Sequence, residues 1–365
     1  MDPTGKRLGR PAAMRALKPG LTGLVVLAAL SIAYVVFWLF MAGELRDGVA
    51  RWSEARRAEG YTVLFSRLRI SGFPFVLRLD LERPGLGAPD GGVPWTWEGE
   101  RAVAEMRPWN LRHVDIDLSG AHTLGLVVAG RPVTYTGTAG NLTGVLVMAG
   151  AWPSSAEIHI KDLDLSTADG AERVVVKRAD LTARRTVGKT SDDGASTLDV
   201  RLHAEDVRVP ERLSLPLGNH LARLTVVAGL LGPIPAGPWP QSLGRWRDEG
   251  GTVEVERLGI TYGPLSAQAT GTVALDGDMQ PIGAFTAKVR GFRETVDALR
   301  KRGLVRRRDA VTAKLVLGAL ARTPEGGGPP TLNLAITVQD RTLFAGPVAL
   351  ARLPAIDWKD WGPAR

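Results

Sequence analysis

The chain has 365 residues, a formal net charge of +8 and no cysteine. This length suits one large domain or two ordinary ones, and the lack of cysteine excludes disulfides, thiolate metal sites and a cysteine nucleophile. The sequence also holds 43 glycines and ten tryptophans, and glycines between short alternating segments favour a turn-rich β protein.

The N-terminal part of the sequence predicts a transmembrane helix at residues 21–43. These residues carry no charge, and as a helix of about 35 Å they are long enough for the roughly 30 Å hydrocarbon core of a bilayer. A signal peptide has a shorter apolar core, followed by a small-residue cleavage site that is not evident here. The segment is therefore interpreted as an uncleaved signal anchor.

Residues 1–20 form a basic tail, with five lysines or arginines against one aspartate. The positive-inside rule predicts that this tail stays in the cytoplasm. The rest of the chain is then expected on the far side of the membrane, where nucleic acid is not an expected partner.

Residues 44–60 carry charges of both signs and predict a membrane-proximal helix that ends at Gly60. From Tyr61 the hydrophobic period changes to two, and residues 61–365 are interpreted as one β-rich domain. Apolar positions that alternate with polar ones are typical of an antiparallel sheet with one solvated face. The alternating residues are Val63, Phe65, Leu77, Leu79, Leu81, Val114, Ile116, Leu118, Ile158, Ile160, Leu163, Leu165, Leu198, Val200, Leu202, Val253, Val255, Val273, Leu275, Leu332, Leu334 and Ile336.

Short helices are predicted at residues 238–249, 293–303 and 309–321. Asp309 is expected to cap the last of them, although the same segment also alternates as a strand would. The predicted fold class is mainly β, with a single N-terminal transmembrane helix and a few short helices. The body is an extended, curved antiparallel β-sheet in the form of a trough or flattened barrel.

The sequence contains no recognised catalytic or metal-binding motif. Two pairs of carboxylates, Asp115 with Asp117 and Asp162 with Asp164, are expected on single strand faces. One interpretation is a cation site or an acid–base pair, and the favoured one is the polar side of an amphipathic strand. We therefore expect no enzyme activity, no metal site and no cofactor.

Residues 300–308, R-K-R-G-L-V-R-R-R, form the densest cluster of positive charge beyond the N-terminal tail. This basic segment could contact anionic lipid headgroups or an acidic polymer. The favoured interpretation is solvated helix ends, where basic residues complement the helix dipole. Its charged residues are Arg300, Lys301, Arg302, Arg306, Arg307 and Arg308.

Three segments carry a resemblance to known proteins. They are S-G-F-P-F at 71–75, the strand–glycine–strand segment 257–289, and the ending 343–358 with its Gly-Pro and Leu-Pro dipeptides. From about residue 20 onward the chain resembles an uncharacterised family of Gram-negative envelope proteins and is similar to AsmA-like proteins. The resemblance implies an inner-membrane anchor, a periplasmic β-rich body and a role in outer-membrane biogenesis or lipid movement. This chain is far shorter than the AsmA-like proteins thought to bridge two membranes.

In S-G-F-P-F, Gly72 and Pro74 are expected to bend or interrupt a strand. Phe73 and Phe75 then point to one side, either as an apolar entrance for acyl chains or as a core corner, which is the favoured interpretation. If the trough binds a ligand, its expected lining residues are Phe73, Phe75, Leu77, Leu79 and Leu81.

The expected function is non-enzymatic binding of lipid or another amphipathic ligand in the trough, for lipid transport or envelope biogenesis. The alternative is an envelope module with a solid core that docks a protein partner. The expected partners are the inner membrane, phospholipid or another amphipathic ligand, and envelope proteins.

Overall fold

One long N-terminal helix and one antiparallel sheet make up most of the protein. The structure is a computed structural model that describes residues 17–88, 94–128, 130–150, 152–186, 197–213, 215–233, 239–323, 329–346, 348–356 and 358. Residues 1–16 of the predicted basic tail lie outside the described residues.

Helix α1 (Leu17–Ala58) is a single continuous element that includes the segment predicted as an anchor and nearly all of the segment predicted as a membrane-proximal helix. Gly60 ends it, with a φ of 88° that a residue with a Cβ avoids. The amide of Gly60 donates to the carbonyl of Arg57 at 2.9 Å, and the amide of Tyr61 donates to that of Arg56 at 3.0 Å. This is the Schellman arrangement, which satisfies the last carbonyls of a helix.

Within the described part of the chain, α1 is the one helix long and apolar enough to cross a membrane. Its apolar residues between Leu24 and Phe40 are mostly exposed around the whole helix. A helix that is apolar on all sides and exposed to water in the isolated chain suits a lipid environment.

The strands of the described residues belong to a single sheet of 19 strands. They are β1 (Thr62–Leu64), β2 (Arg67–Ser71), β3 (Leu77–Glu82), β4 (Gly85–Gly87), β5 (Trp95–Gly99), β6 (Arg101–Arg107), β7 (Asn110–Asp117), β8 (Gly120–Val128), β9 (Arg131–Ala149), β10 (Trp152–Ser166), β11 (Arg173–Arg185), β12 (Leu198–Arg208), β13 (His220–Leu231), β14 (Thr252–Tyr262), β15 (Leu265–Leu275), β16 (Pro281–Arg290), β17 (Leu332–Gln339), β18 (Thr342–Ala345) and β19 (Val348–Arg352).

The strands follow one another in an up-and-down antiparallel order. The pairs β1–β2, β3–β4, β5–β6 and β7–β8 are each two halves of one bent strand, because consecutive halves pair with consecutive halves of the next strand. Both β7 and β8 pair with the long strand β9, and from β9 to β19 each strand pairs with the next.

The bends form a crease that runs across the sheet from β1–β2 to β12. Arg83, Gly120, Asp162 and Asp206 lie on this line with φ values of 48°, 120°, 51° and 48°, and the ladder is interrupted at or directly beside each of them. Interruptions of this kind bend a strand and increase its twist. The large antiparallel sheet is therefore curved and open, and the predicted fold class is confirmed.

Among the described residues, four helical elements lie between strands: α2 (Trp239–Asp248), α3 (Phe292–Lys301), α4 (Arg307–Leu320) and a 3-10 helix (Glu211–Leu213). The three α-helices correspond to the predicted segments 238–249, 293–303 and 309–321. The prediction that Asp309 is the N-cap was wrong. Arg306 holds that position without a side-chain hydrogen bond, and Asp309 lies in the first turn, where its charge complements the helix dipole.

The main core lies where α3 and α4 pack on the sheet at β16 and β17. Its buried members are Ala287, Val289, Phe292, Val296, Ala310, Leu317 and Leu332. Leu332 is fully buried, with 0% of its surface exposed. The helix pair thus covers one end of the sheet.

We expect Leu332→Ala to lower the free energy of unfolding by about 2–5 kcal/mol, because it leaves a cavity under α3 and α4. Leu258→Ala, in β14, is the matched control and should cost less, since Leu258 keeps part of its surface exposed. Urea unfolding of the purified protein in detergent measures both values. Equal losses would mean that a further layer covers Leu258.

Candidate functional site

The register of the strands gathers apolar residues on one face of the sheet. Directly paired residues of antiparallel strands point to the same face, so a row of partners can be followed from strand to strand. One such row crosses 13 strands from β2 to β17 and is apolar throughout. It consists of Ile70, Leu79, Ala104, Ile116, Gly144, Ile158, Leu181, Leu202, Val226, Leu258, Ala269, Ala287 and Leu334.

A second apolar row lies two residues away on the same face, from β3 to β18. It consists of Leu77, Met106, Val114, Leu146, Ala156, Ala183, Val200, Ala228, Val255, Gly271, Phe285, Ile336 and Ala345. We call the surface formed by these two rows the apolar face. At about 4.8 Å between neighbouring strands, the first row is about 58 Å long.

The opposite surface, which we call the polar face, carries mainly polar side chains. One row on this face lies one residue from the first apolar row, on the side away from the second apolar row. It consists of Arg69, Asp80, Val103, Asp117, Thr143, His159, Asp180, His203, Thr225, Gly259, Gln268, Lys288 and Asn333. Two open depressions, of about 820 Å³ and 500 Å³, lie among side chains of the polar face. The sheet therefore separates an apolar surface from a hydrated one.

The apolar face is covered at one end and open in the middle. Ala287 of the first row is buried under α3 and α4, whereas Ile158 of the same row is 37% exposed. Leu202 and Val226, between them, are half-buried. Side chains in the middle of the row have the cross-strand contacts of a sheet without the complete cover that a packed second layer gives.

The leucines predicted as lining residues lie at the start of this face. Leu77 begins the second row, and Leu79 is the member of the first row on the same strand; both are buried. Leu81 follows on the same face and is half-buried. Phe73 and Phe75 lie beyond the strands, with 51% and 67% of their surfaces exposed. Neither ring fills a core corner, so that interpretation was wrong.

Phe73 and Phe75 belong to the turn between β2 and β3, residues 71–76, which we call the tip. Gly72 in the tip has φ 99°, and a Cβ there would lie 2.6 Å from the carbonyl oxygen of Val76. Only glycine fits this close backbone approach. The turn thereby brings the two phenylalanines to the end of the hairpin.

The tip packs against α1. The ring of Phe73 makes an edge contact with Trp38, with centroids 5.5 Å apart, and lies 6.4 Å from the ring of Tyr34. Trp38 Nε1 donates to the carbonyl of Val76 at 3.3 Å, and Tyr34 Oη donates to the carbonyl of Pro74. Sequence reasoning missed this contact because about 40 residues separate the partners and neither segment's pattern indicates the other.

The six basic residues of segment 300–308 lie at the end of α3, in the connection and at the start of α4. Arg302 donates to the carbonyl of Leu215 at 2.6 Å, and Arg300 lies 3.8 Å from Asp297. Arg306, Arg307 and Arg308 are exposed, as are Arg300, Lys301 and Arg302. The basic side chains of the segment are exposed, which both interpretations of it expect.

Two of the four carboxylates noted in the sequence, Asp162 and Asp164, lie in ion pairs with basic side chains. Asp164 accepts two hydrogen bonds from Arg173, and Asp162 pairs with Lys177. In the part of the chain that the structure describes, no three His, Asp or Glu side chains are grouped as a metal ion would require. Asp117 Oδ1 accepts instead from the backbone amide of Ser119 at 2.8 Å, and Asp115 lies 3.6 Å from His113 Nε2.

A family profile described as "uncharacterized protein conserved in bacteria", DUF2125, matches residues 38–354, which is most of the chain. No curated protein and no solved structure matches the chain. The match supports an uncharacterised bacterial family, and it does not extend to the AsmA-like proteins.

Arg101 donates to both carboxylate oxygens of the buried Asp80, with Nε at 2.8 Å from Oδ1. This pairing holds the pKa of Asp80 below its usual value. Wild type should therefore be more stable than Asp80→Asn by about 1–3 kcal/mol at neutral pH. The difference should persist above the unfolded pKa near 4 and shrink as pH falls through the lower folded value.

Thermal unfolding of both proteins at pH 3 to 7 measures this difference. Glu157→Gln, on the same face with a more exposed carboxylate paired to Arg184, is the control and should show a smaller change. A constant gap between wild type and Asp80→Asn at all pH values would contradict the assignment.

The tip can be tested by crosslinking because the chain has no natural cysteine. Trp38→Cys with Phe73→Cys should react with a short bis-maleimide within one chain. Leu27→Cys with Phe73→Cys is the control, since Leu27 lies on the same side of α1 about 16 Å further along. Equal crosslinking of the two pairs in detergent would mean that the tip is not held at Trp38.

Proposed function

Since the chain belongs to DUF2125, a family of uncharacterized proteins conserved in bacteria, we propose its function from its own surfaces. It is a non-enzymatic, membrane-anchored protein whose apolar face binds the acyl chains of a lipid or another amphipathic molecule. The observation that carries the proposal is the row of 13 apolar partners from Ile70 to Leu334, which is partly exposed in its middle.

The apolar face has the chemistry of an acyl-chain site. Neither row contains a charged or hydroxyl side chain, so a hydrocarbon chain lying on it meets no polar group that would lose hydration. Each methylene buried contributes about 0.8 kcal/mol. Because the middle of the face is open along its length, a polar headgroup can stay in water while the chains lie on the sheet.

The middle of the apolar face leaves apolar side chains partly exposed, namely those of Leu181, Leu202 and Val226. Contact with a ligand would remove this apolar surface from water. Large exposed apolar surfaces are uncommon on soluble proteins and mark binding sites. The apolar character continues through neighbouring strands on both sides of these residues, which favours a long flexible ligand over a compact one. A protein partner is the alternative occupant, and the test below distinguishes the two.

The contact between α1 and the tip supports a retained anchor. Tyr34 and Trp38 of the apolar helix are bonded to the β2–β3 hairpin, so the helix is part of the folded protein. With the basic tail at 1–20 on the cytoplasmic side, the sheet lies in the periplasm and the anchor lies in the inner membrane. A role in lipid transport or envelope biogenesis follows from this placement and agrees with the AsmA-like resemblance.

The absence of enzyme activity belongs to the same proposal. The chemistry on the apolar face is limited to hydrocarbon and backbone. The titratable groups in the row from Arg69 to Asn333 lie on the polar face, and some of them are in ion pairs such as Asp80 with Arg101. The protein then acts by holding and passing a ligand.

Photocrosslinking in cells tests the proposal. A benzophenone amino acid at Leu202 should yield adducts with phospholipid, detected by mass spectrometry. The same group at His203, the next residue on the polar face, should yield at least fivefold less. Leu181 and Thr182 form a second matched pair on neighbouring strand β11.

Equal lipid adducts at Leu202 and His203 would contradict lipid binding on the apolar face. Adducts of Leu202 with one protein, and none with lipid, would replace the proposed ligand with a protein partner. Purified Leu202→Lys should also retain less phospholipid than His203→Lys, provided that both have wild-type unfolding midpoints.

A further inference from the structure

We propose that the tip of the β2–β3 hairpin is inserted in the outer leaflet of the membrane that α1 crosses, and that the neighbouring β6–β7 turn lies at the same membrane surface. The sheet would then be joined to the bilayer by strand turns as well as by α1. This inference rests on the part of the proposed function that makes α1 an anchor. It adds a lipid-contacting surface at one edge of the sheet.

The depth of the tip follows from the residues of α1 that it contacts. Tyr34 and Trp38 lie within the uncharged segment 21–43, and Glu44 is the first charged residue after it. At 1.5 Å per residue, Trp38 lies about 9 Å and Tyr34 about 15 Å along the helix from Glu44. Half of a hydrocarbon core is about 15 Å, so a turn bonded to both residues lies at the depth of acyl chains.

The backbone of the tip is suited to that environment. A peptide group in hydrocarbon must be hydrogen-bonded within the protein. The carbonyls of Pro74 and Val76 accept from Tyr34 and Trp38, the amide of Val76 donates to the carbonyl of Gly72 at 3.0 Å, and Pro74 has no N–H. Side chains of α1 thereby satisfy carbonyls that a turn in water would leave to solvent.

The side chains of the tip are also those of a membrane-inserted loop. Phe73 and Phe75 are more than half exposed, which in water leaves two aromatic rings without cover. The residues from Ser71 to Leu77 carry no charge. Arg69 and Arg78 are the nearest charged residues on the two sides, where long cationic side chains can reach the headgroups.

A second turn on the same edge repeats this pattern. In an up-and-down sheet the β2–β3 and β6–β7 turns lie at the same edge, because β3 and β6 are antiparallel neighbours. Trp109 in the β6–β7 turn is 59% exposed and Leu111 is 42% exposed, and Arg107 and Arg112 flank them. Tryptophan is favoured at membrane interfaces, so this turn fits a shallower position than the tip.

The inserted tip gives acyl chains a route to the apolar face. Leu77 begins the second apolar row directly after the tip, and Leu79 is the first row's residue on the same strand. A chain leaving the leaflet beside Phe73 and Phe75 meets apolar side chains from the hydrocarbon core onto the sheet. The tip is therefore placed where a lipid would enter.

Depth-dependent quenching tests the insertion in the full-length protein. Single cysteines at positions 27, 75, 109 and 169 would be labelled with the fluorophore NBD in vesicles of phosphatidylethanolamine and phosphatidylglycerol with brominated acyl chains. Leu27→Cys on α1 is the positive control. Asp169→Cys, in the exposed β10–β11 turn at the opposite edge, is the control in water.

We expect quenching at positions 27, 75 and 109 to be at least twice that at position 169, provided that each labelled protein keeps the wild-type unfolding midpoint. Because a label at Phe75 can disturb the docked turn, Trp109→Cys reports on the same edge independently. If the label at position 27 is quenched but the labels at positions 75 and 109 are quenched no more than the label at position 169, the insertion is overturned and the anchor stands. Lack of quenching at position 27 would overturn the anchor itself, while lipid adducts at Leu202 would still report on the apolar face.

Discussion

The structure depends on the register of its antiparallel pairing. Because side chains alternate along a strand, a shift of one residue in any pair would move that strand's apolar side chains to the polar face. The pairing instead keeps one apolar partner in line from Ile70 on β2 to Leu334 on β17. Each strand contributes only two or three apolar residues, and the register turns them into a continuous surface.

The two ends of that surface differ in what they contact. At β16 and β17, α3 and α4 bury it, and Leu332 has the contacts of an ordinary core residue. At β2 and β3 it meets α1 through the tip, where Trp38 and Tyr34 bond to backbone carbonyls. The middle has neither cover, and its half-buried side chains are the part of the sheet available to a ligand. Stability thus comes mainly from the strand ladder and the covered end.

Curvature and polarity have separate origins in this sheet. The crease is set by backbone conformation at positions such as Asp162 and Asp206, whose φ values of 51° and 48° interrupt the ladder. The polarity of the two faces is set by the alternation of side chains, which continues across the crease because Leu163 and Val207 still pair with the apolar residues beside them. The membrane-facing edge proposed above would add a third property, carried by the turns and not by the strands.

The sequence by itself determined the apolar helix, the alternating strands, the short helices and the absence of recognised catalytic motifs, because each of these depends on residues close together in the chain. It also placed Leu77, Leu79 and Leu81 on one strand face. Only the tertiary structure decided which strands pair in which register, where α3 and α4 cover the sheet, and that Phe73 meets Trp38. These depend on contacts between distant segments, for which local periodicity carries no information. The core interpretation of Phe73 and Phe75 failed for that reason: an apolar ring in a turn has the same local pattern whether it faces a core or an exposed apolar helix.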